Sequence, residues 1–260
     1  MDFEGKTALI TGAGNGIGKS AAIRFAEGGA NVILVDINLD AVTETQKEIA
    51  HSGRDHLTIK VDMGSLEEID QMVEQSTRRF ERIDILFNNA GLTRHISFLD
   101  IEEEHWDQIH RVNSKGAFFC MQKIARSMIS QGHGGRIVNT ASIAGRGYRR
   151  TSNAAYAASK GAVIAMTYIA SSVLAPYDIN VNAICPGIVQ TDMLANILSL
   201  RSDESGTSQS DLREAMLEEI PLGRANEADD VSALAIFLAG PGSRNITGQA
   251  FNVDGGLIMS

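Results

Sequence analysis

The sequence predicts one α/β domain, a doubly wound sheet of about seven parallel strands with helices on both faces. Short runs rich in Val, Ile and Leu alternate with longer segments of helical spacing. The short runs are almost continuously apolar, as in strands that helices cover on both faces. No repeat and no Pro- or Ser-rich linker divides the 260 residues, so we expect a single domain over residues 1–260.

The predicted elements follow one another in β–α order. The apolar runs predict strands over residues 7–11, 31–36, 57–61, 83–87, 136–140, 179–184 and 249–253. Helical spacing predicts helices over residues 19–27, 39–51, 66–80, 102–130, 154–174, 212–220 and 228–239. The polar stretch 200–211 interrupts this pattern. We expect it outside the core, either as a surface insertion or as a mobile flap over a substrate cleft.

Composition and charge argue against several classes of protein. The chain has 23 Lys and Arg against 32 Asp and Glu, a net charge of −9, so a nucleic-acid partner is not expected. Cys120 and Cys185 provide neither a disulfide framework nor a metal-ligand spacing, so we expect no metal site and a reducing, cytoplasmic location. No signal-peptide pattern and no uninterrupted apolar run of about 18 residues is visible, so we expect no membrane partner.

A glycine-rich segment connects the first predicted strand to the first predicted helix. Its spacing is G-x-x-x-G-x-G from Gly12 to Gly18, with Asn15, Gly16 and Ile17 inside it. Glycines at such a turn let the backbone approach a pyrophosphate, and the N–H groups of the helix face the anion. The alternative is a tight turn without a ligand, but the strand before it and the helix after it favour dinucleotide binding.

The ends of three predicted strands carry further candidate ligand-binding residues. A carboxylate at Asp36, where the second strand ends, accepts hydrogen bonds from the adenosine ribose and repels a 2′-phosphate, which favours NAD over NADP. A merely solvated strand-end aspartate is the alternative. Asp62 and Met63 follow the third strand, and the segment Asn88-Asn89-Ala90-Gly91 follows the fourth.

Tyr156 and Lys160 lie at positions i and i+4 of a predicted helix and therefore on one face. A nearby ammonium group lowers the pKa of a phenol, and a fall of roughly three units needs about 4 kcal/mol of preferential phenolate stabilisation. Taken alone, such a pair is usually a pair of surface neighbours. Two more polar residues lie where they can belong to the same site. Ser142 follows the fifth predicted strand, and Asn113 lies in the helix after the fourth.

Together, these residues resemble the short-chain dehydrogenase/reductase family. The resemblance covers nearly the whole chain, including Pro186-Gly187, Thr191 and the segment Asn252-Val253-Asp254-Gly255-Gly256. It implies a Rossmann fold and hydride transfer between a nicotinamide cofactor and a small-molecule secondary alcohol or ketone. The expected cofactor is NAD because of Asp36. Members of the family are commonly homotetramers that pair the helix carrying Tyr-x-x-x-Lys and the last helix and strand, so we expect a homotetramer.

The resemblance also implies roles for individual residues. Tyr156 would be the catalytic base in oxidation, and Ser142 would orient the substrate oxygen. Lys160 would bind the nicotinamide ribose and lower the pKa of Tyr156, and Asn113 would anchor a proton-relay water. The expected cofactor-binding residues are Gly12, Asn15, Gly16, Ile17, Gly18, Asp36, Asp62, Met63, Asn89, Ala90, Gly91, Tyr156, Lys160, Pro186, Gly187, Ile188 and Thr191.

The loops expected to form the substrate walls are polar, which suggests a small polar substrate. One contains Thr93, Arg94 and His95, and the other contains Arg146, Arg149, Arg150 and Asn153. Arg149 and Arg150 are expected either to recognise an anionic group or to lie in solvent or at a subunit contact. His95 is expected either as a hydrogen-bonding group of the pocket or as an exposed loop residue. The expected substrate residues are His95, Ser142, Ala144, Asn153, Tyr156 and Gly187.

Within the family, residues 124–146 and 251–260 are similar to polyol dehydrogenases of the sorbitol and galactitol type. The insert over about 188–220 is expected to be a substrate lid. A 3-oxoacyl-[acyl-carrier-protein] reductase is the nearest alternative, since its scaffold and four catalytic residues are similar. Asp36 counts against the NADPH that such reductases usually use, whereas Lys19 favours it. A dinucleotide-sensing scaffold protein would be expected to lack a catalytic residue, and all four are present.

Overall fold

The computed structural model describes residues 3–148 and 152–259 of the chain. Its centre is a sheet of seven parallel strands in the order β3-β2-β1-β4-β5-β6-β7, which confirms the predicted fold class. Each observed strand agrees with its prediction to within about two residues at either end. The strands are β1 (Thr7–Thr11), β2 (Asn31–Asp36), β3 (His56–Lys60), β4 (Ile85–Asn88), β5 (Gly135–Thr140), β6 (Ile179–Pro186) and β7 (Ala250–Val253).

Helices cover both faces of the sheet. Because successive residues of a strand point to opposite faces, Ala8 and Ile10 of β1 pack in one apolar layer and Leu9 packs in the other. Helices α1, α2 and α9 contribute to the first layer, and α3, α5 and α6 contribute to the second. The α-helices of the described residues are α1 (Gly16–Glu27), α2 (Leu39–Ile49), α3 (Leu66–Phe80), α4 (Glu103–His110), α5 (Ala117–Gln131), α6 (Ala154–Leu174), α7 (Asp192–Ser205), α8 (Gln209–Glu218) and α9 (Ala228–Ala239).

The direction in which strands are added reverses beside β1. The chain builds β2 and β3 on one side of β1 and then returns to place β4 on the other side. This reversal opens a crevice at the carboxyl ends of β1 and β4, which is where doubly wound sheets bind ligands. The segments that follow β1, β4, β5 and β6 therefore converge on one region.

One predicted helix, over residues 102–130, is wrong in its continuity. The structure divides it into α4, a π-helical turn (Arg111–Gly116) and α5. The turn packs closely against the segment after β3, since a Cβ on Gly116 would lie 1.9 Å from the carbonyl oxygen of Met63. A π-helical turn inserts one residue into the helical repeat and is frequent at functional sites. Here the turn carries Asn113.

The polar stretch 200–211 is more helical than its composition suggests. Helix α7 continues to Ser205 and ends at Gly206, whose φ angle is +68°. Helix α8 begins at Gln209, before the predicted start at residue 212, because the Ser208 hydroxyl caps it by accepting the N–H of Asp211 at 3.1 Å. The stretch nevertheless lies outside the core, as the sequence predicts.

Helix α6 and the turn after it form a long apolar segment, Ala154–Tyr177. By length and composition alone this segment could cross a membrane, with a mean hydropathy of 1.3. In the fold it packs on the sheet, where Val163 and Ile164 lie in one cluster with Cys185 of β6. Its other side leaves Ile169 and Val173 exposed. Segments of this kind also occur as core helices of α/β folds, which is the position that α6 occupies.

Candidate active site

The carboxyl ends of β1, β4, β5 and β6 border a cleft of about 480 Å³. The glycine turn and Asp36 lie at one end of it, α7 and α8 cover one side, and the loop after β4 lines it as well. The fold thus brings together residues that are far apart in the chain. Among the residues predicted from the sequence, those that line the cleft are Gly12, Asn15, Gly16, Ile17, Asp36, Asn89, Ala90, Gly91, Ser142, Tyr156, Lys160, Pro186, Gly187, Ile188 and Thr191.

The glycine turn presents backbone to the cleft. Gly12 and Gly16 have φ angles of +69° and +52°, which favour glycine. A Cβ on Gly18 would lie 1.9 Å from the carbonyl oxygen of Gly12, so α1 approaches β1 this closely only with glycine there. Asn15 at the start of α1 makes no side-chain capping bond, which leaves the first N–H groups of the helix for a ligand. A dinucleotide pyrophosphate fits such a turn.

Asp36 is held at the cofactor end of the cleft by two backbone groups. Its Oδ2 accepts the N–H of Gly14 at 2.9 Å, and its Oδ1 accepts the N–H of Asn38 at 2.9 Å. Each carboxylate oxygen can accept a further hydrogen bond, so both remain able to receive ribose hydroxyls. Lys19, the basic residue that favours NADPH in the alternative interpretation, instead donates to Glu48 at 2.8 Å and does not line the cleft.

Asn89 and Thr11 connect the strands beneath the cleft. Thr11 Oγ1 accepts the N–H groups of Asn89 and Ala90 at 2.9 and 3.0 Å. The Asn89 amide donates to the carbonyl oxygen of Thr11 and accepts from Thr140 Oγ1, both at 3.1 Å. The ends of β1, β4 and β5 therefore form one hydrogen-bonded floor for the cofactor end.

Ser142, Tyr156 and Lys160 meet in the same cleft. The Ser142 hydroxyl accepts the N–H of Ala144 at 3.1 Å and hydrogen bonds with the Tyr156 side chain. Lys160 is only 3% exposed and donates to the carbonyl oxygen of Thr140 at 2.7 Å. Its Nζ lies 5.8 Å from the centroid of the Tyr156 ring. A phenol, a hydroxyl and an ammonium group thus share one partly enclosed site, as general acid–base chemistry requires.

Burial determines the ionisation of this site before any cofactor binds. Desolvation raises the pKa of Tyr156 to about 12, although the hydrogen bond with Ser142 lowers it. Desolvation lowers the pKa of Lys160 to about 8. At neutral pH Tyr156 is therefore a neutral phenol, whereas Lys160 is still mostly protonated. The expected lowering of the Tyr156 pKa by Lys160 stays a prediction, and in this structure the Lys160 ammonium donates to Thr140.

Asn113 lies buried behind the cleft and does not line it. Its Oδ1 accepts the N–H of Leu92 at 2.9 Å, and its Nδ2 donates to the carbonyl oxygen of Leu92 and to Ser159 Oγ at 2.8 and 3.1 Å. Ser159 in turn donates to the carbonyl oxygen of Tyr156 at 2.7 Å. The Asn113 side chain therefore links the loop after β4 to the helical turn that carries Tyr156. Its role in anchoring a water stays a prediction.

Three residues predicted to bind the cofactor lie outside the lining of the cleft. Gly18 packs under the glycine turn, and Met63 is buried in the core. The Asp62 carboxylate accepts from the Arg111 guanidinium and from the N–H of Gly64, both at 2.8 Å. Contact of Asp62 and Met63 with adenine therefore stays a prediction.

Of the polar residues expected at the substrate, Thr93, Ser142 and Tyr156 line the cleft, whereas several others lie elsewhere. His95 lines a separate surface depression with Arg201, and Ala144 is buried beside Ser142. Asn153 caps α6, accepting the N–H of Tyr156 at 2.8 Å and donating to the carbonyl oxygen of Arg94 at 2.6 Å. Arg146 donates to the carbonyl oxygen of Ala250. Arg149 and Arg150 lie outside the described residues, so the expectations for them stay untested.

The structure adds lining residues that the sequence analysis did not name individually, most of them in segments that it expected to form the substrate walls and the lid. Met193, Leu194 and Ile197 come from α7, and their helical spacing is the signal that indicates a buried or cleft-facing side. No comparable pattern marks the loop residues. The full set of additions is Leu92, Thr140, Ala141, Ser152, Val189, Met193, Leu194, Asn196, Ile197 and Met216.

Known proteins share this architecture over their whole length. Residues 12–258 match the family model described as enoyl-(acyl carrier protein) reductase. The chain is 38% identical over 260 residues to sorbitol dehydrogenase of Cereibacter sphaeroides, covering 100% of both chains. It is 38% identical over 264 residues to the 3-oxoacyl-[acyl-carrier-protein] reductase FabG of Thermotoga maritima, again covering 100% of both. The solved structure of NAD⁺-bound xylitol dehydrogenase matches with a TM-score of 0.93 and 34% identity, covering 98% of this chain and 100% of that one.

The glycine turn and the grouping of Ser142, Tyr156 and Lys160 define a nicotinamide-nucleotide-dependent oxidoreductase. The matching dehydrogenases and reductases are of the kind that the sequence resembles. The chain belongs to the short-chain dehydrogenase/reductase family. It is an enzyme that acts on CH–OH groups, interconverting a secondary alcohol and a ketone.

Replacing Asn153 tests whether it positions Tyr156. Asn153→Ala should lower the free energy of unfolding by about 1 kcal/mol through loss of the helix cap, and should lower kcat with KM for the cofactor unchanged. Asn153→Ser should restore most of both losses, because a serine hydroxyl can accept the N–H of Tyr156. Thermal unfolding and steady-state kinetics measure the two effects. A rise in KM for the alcohol alone, with unchanged stability, would instead show a direct substrate contact.

Replacing Lys160 tests its electrostatic effect on Tyr156. With the Tyr156 phenolate as the expected base in oxidation, kcat/KM should rise with pH, and Lys160→Met should displace this limb upward by about one to two pH units. The difference should be greatest below about pH 8, where Lys160 carries its charge. Lys123→Met, which removes an ion pair with Asp70 far from the cleft, is the control. An unmoved pH profile in Lys160→Met would contradict this account.

Proposed function

We propose that the enzyme uses NAD and oxidises a small polyol or sugar-derived secondary alcohol to the ketone, with the reverse reduction also catalysed. The observation that carries the proposal is the Asp36 carboxylate at one end of the cleft in which Ser142, Tyr156 and Lys160 meet. An NADP 2′-phosphate beside Asp36 would be repelled, whereas the two ribose hydroxyls of NAD can donate to it.

Four residues of the chain have different proposed roles in oxidation. When bound, NAD⁺ accepts the hydride from the carbinol carbon. Tyr156 takes the hydroxyl proton, while Ser142 holds the substrate oxygen in place. Lys160 stabilises the phenolate through its charge, and Asn113 fixes the loop after β4 against the helical turn of Tyr156. Each turnover consumes an alcohol and NAD⁺ and yields a ketone, NADH and a proton.

The substrate class is supported by the full-length similarity to sorbitol dehydrogenase and by the similarity to xylitol dehydrogenase. A 3-oxoacyl-[acyl-carrier-protein] reductase is the second candidate, because the FabG relative is 38% identical as well. The hydrogen bonds of Asp36 and the ion pair of Lys19 with Glu48 favour the first candidate, since they leave no basic side chain of the described residues at the adenosine ribose.

Residues 188–220 fit the role of a lid, and we propose that role for them. Helices α7 and α8 contribute Met193, Leu194, Asn196, Ile197 and Met216 to one side of the cleft. The inner face of the lid rests on the buried residues Ile188 and Ile220. A substrate would therefore be enclosed between the lid and the loop after β4.

A substrate assay tests the proposed reaction. Purified protein with NAD⁺ should produce NADH, followed by its absorbance, with one or more members of a panel of hexitols, pentitols, vicinal diols, sugar acids and hydroxyacyl thioesters. Tyr156→Phe should lower the rate by at least about 100-fold, because the proton acceptor is lost. A preference for hydroxyacyl thioesters with NADP would favour the reductase candidate over the polyol proposal.

Cofactor preference tests Asp36. Asp36→Ala should lower the ratio of kcat/KM for NAD to that for NADP by about tenfold or more, because the ribose loses a charged acceptor and a 2′-phosphate is no longer repelled. Asp40→Ala is the matched control, since Asp40 is an exposed carboxylate of the next helix that does not line the cleft. An unchanged ratio in Asp36→Ala would remove the proposed role.

We propose a cytoplasmic homotetramer, and the exposed apolar side of α6 supports this assembly. Ile169 and Val173 are 69% and 61% exposed, and Phe237 of α9 is 38% exposed. Sedimentation at micromolar concentration should report a tetramer, and Ile169→Lys should produce smaller species because a charge would be buried at the contact. A wild-type monomer would contradict the proposal.

A further inference from the structure

The two sides of the cleft beyond the cofactor end differ in polarity. The lid side presents Val189, Met193, Leu194, Ile197 and Met216, with Asn196 as its polar residue among those described. The loop side presents Leu92 and Thr93, with Ser152 beside them. A substrate between these sides meets an apolar surface on one flank and hydroxyl groups on the other.

Helix α7 carries the apolar surface from the cofactor end to the far end of the cleft. It starts beside the glycine turn, where Thr191 Cγ2 would lie 3.1 Å from a Cβ on Gly16. Arg201, near its other end, shares a surface depression with His95 of the loop after β4. Ile197 lies one helical turn before Arg201 and also lines the cleft.

The apolar surface is held in place by contacts within the lid. Leu194 and Met216 pack against the buried residues Ile188 and Ile220. The Tyr148 hydroxyl donates to Glu219, just after α8, at 2.8 Å, and Arg213 of α8 donates to Gln190 at 2.6 Å. Leu194 and Met216 are therefore held in the cleft wall by packing.

The polar groups available to a substrate are few. Apart from those of Ser142 and Tyr156, which engage the reacting oxygen, the polar side-chain groups of the described residues at this end are the hydroxyls of Thr93 and Ser152 and the amide of Asn196. The two hydroxyls are already hydrogen bonded to each other at 2.5 Å. A hexitol brings five non-reacting hydroxyls, and a hydroxyl buried without a partner weakens binding by roughly 5- to 150-fold.

The described part of the cleft also has few charged groups. Its only charged lining residues are Asp36, at the cofactor end, and Lys160, whose ammonium is bonded to Thr140. Neither is placed to bind a carboxylate or phosphate at the far end of a substrate. The described lining therefore offers no charged partner to the far end of a substrate.

We infer that the preferred substrate is a vicinal diol with a deoxygenated end, that is, a deoxypolyol with a methyl or short alkyl group against α7 and α8. The inference rests on the proposed function and narrows it. In the reaction the carbinol C–H bond gives a hydride to NAD⁺, the hydroxyl proton passes to Tyr156, and the product is the α-hydroxy ketone. The neighbouring hydroxyl is received by Thr93 and Ser152, and the alkyl end contacts Ile197 and Met216.

Matched substrates test the inference through NADH formation. L-Fucitol is galactitol with one terminal hydroxyl replaced by hydrogen, and its kcat/KM should be about tenfold higher than that of galactitol. In the series 1,2-propanediol, 1,2-butanediol and 1,2-hexanediol, kcat/KM should rise about two- to fourfold for each added CH₂ group. Higher kcat/KM for galactitol than for L-fucitol, a flat diol series, or a hydroxyacyl thioester as the best substrate would overturn the inference.

A pair of variants on α7 distinguishes the effect of the apolar surface on substrate preference from general effects of a substitution in the lid. Ile197→Asn should remove the rise in kcat/KM along the diol series. It should also raise kcat/KM for galactitol relative to that for L-fucitol, with KM for NAD⁺ unchanged. Leu200→Asn, on the same helix but outside the cleft lining, should leave both preferences as in the wild type. An unchanged diol series in Ile197→Asn would overturn the placement of the alkyl group. No NADH from any compound would overturn the proposed function itself, and the inference with it.

Discussion

The hydrogen bond from the Lys160 ammonium to the carbonyl oxygen of Thr140 joins the two halves of the reacting site. Thr140 is the last residue of β5, and Ser142 follows it, whereas Lys160 belongs to α6 one turn after Tyr156. A buried ammonium needs a strong acceptor, because burial without one is unfavourable. The bond therefore fixes α6 against the end of the sheet, and the phenol and the serine hydroxyl meet as a result.

The cofactor end of the cleft is formed mainly by backbone groups, and the substrate flank is formed by side chains. Backbone groups form most of the cofactor end, where the glycine turn, the start of α1 and the N–H groups that hold Asp36 leave little freedom for side-chain change. Side chains from a separate pair of helices form the substrate flank. Chemistry and cofactor can thus stay constant in this fold while substitutions in α7 and α8 change what is oxidised.

Much of the fold and of the reacting site follows from the sequence, because local patterns specify them. The bounds of α3, α6 and α9 agree with the apolar spacing, and Tyr156 and Lys160 face one cleft as their i, i+4 positions require. Features set by distant contacts do not follow. The π-helical turn depends on the packing of Gly116 against Met63, and the apolar flank depends on the docking of α8 against Ile188. Asn153 resembles a substrate residue in sequence, but its amide is used to cap α6.

The burial of the two cysteines bears on how the protein can be handled. Neither Cys120 nor Cys185 has exposed surface, and desolvation raises the pKa of both thiols, that of Cys120 to about 12. Oxidants and alkylating reagents attack the thiolate, which is scarce and inaccessible here. The folded enzyme should accordingly tolerate storage in air without dithiothreitol, and iodoacetamide labelling would report its unfolding rather than its active site.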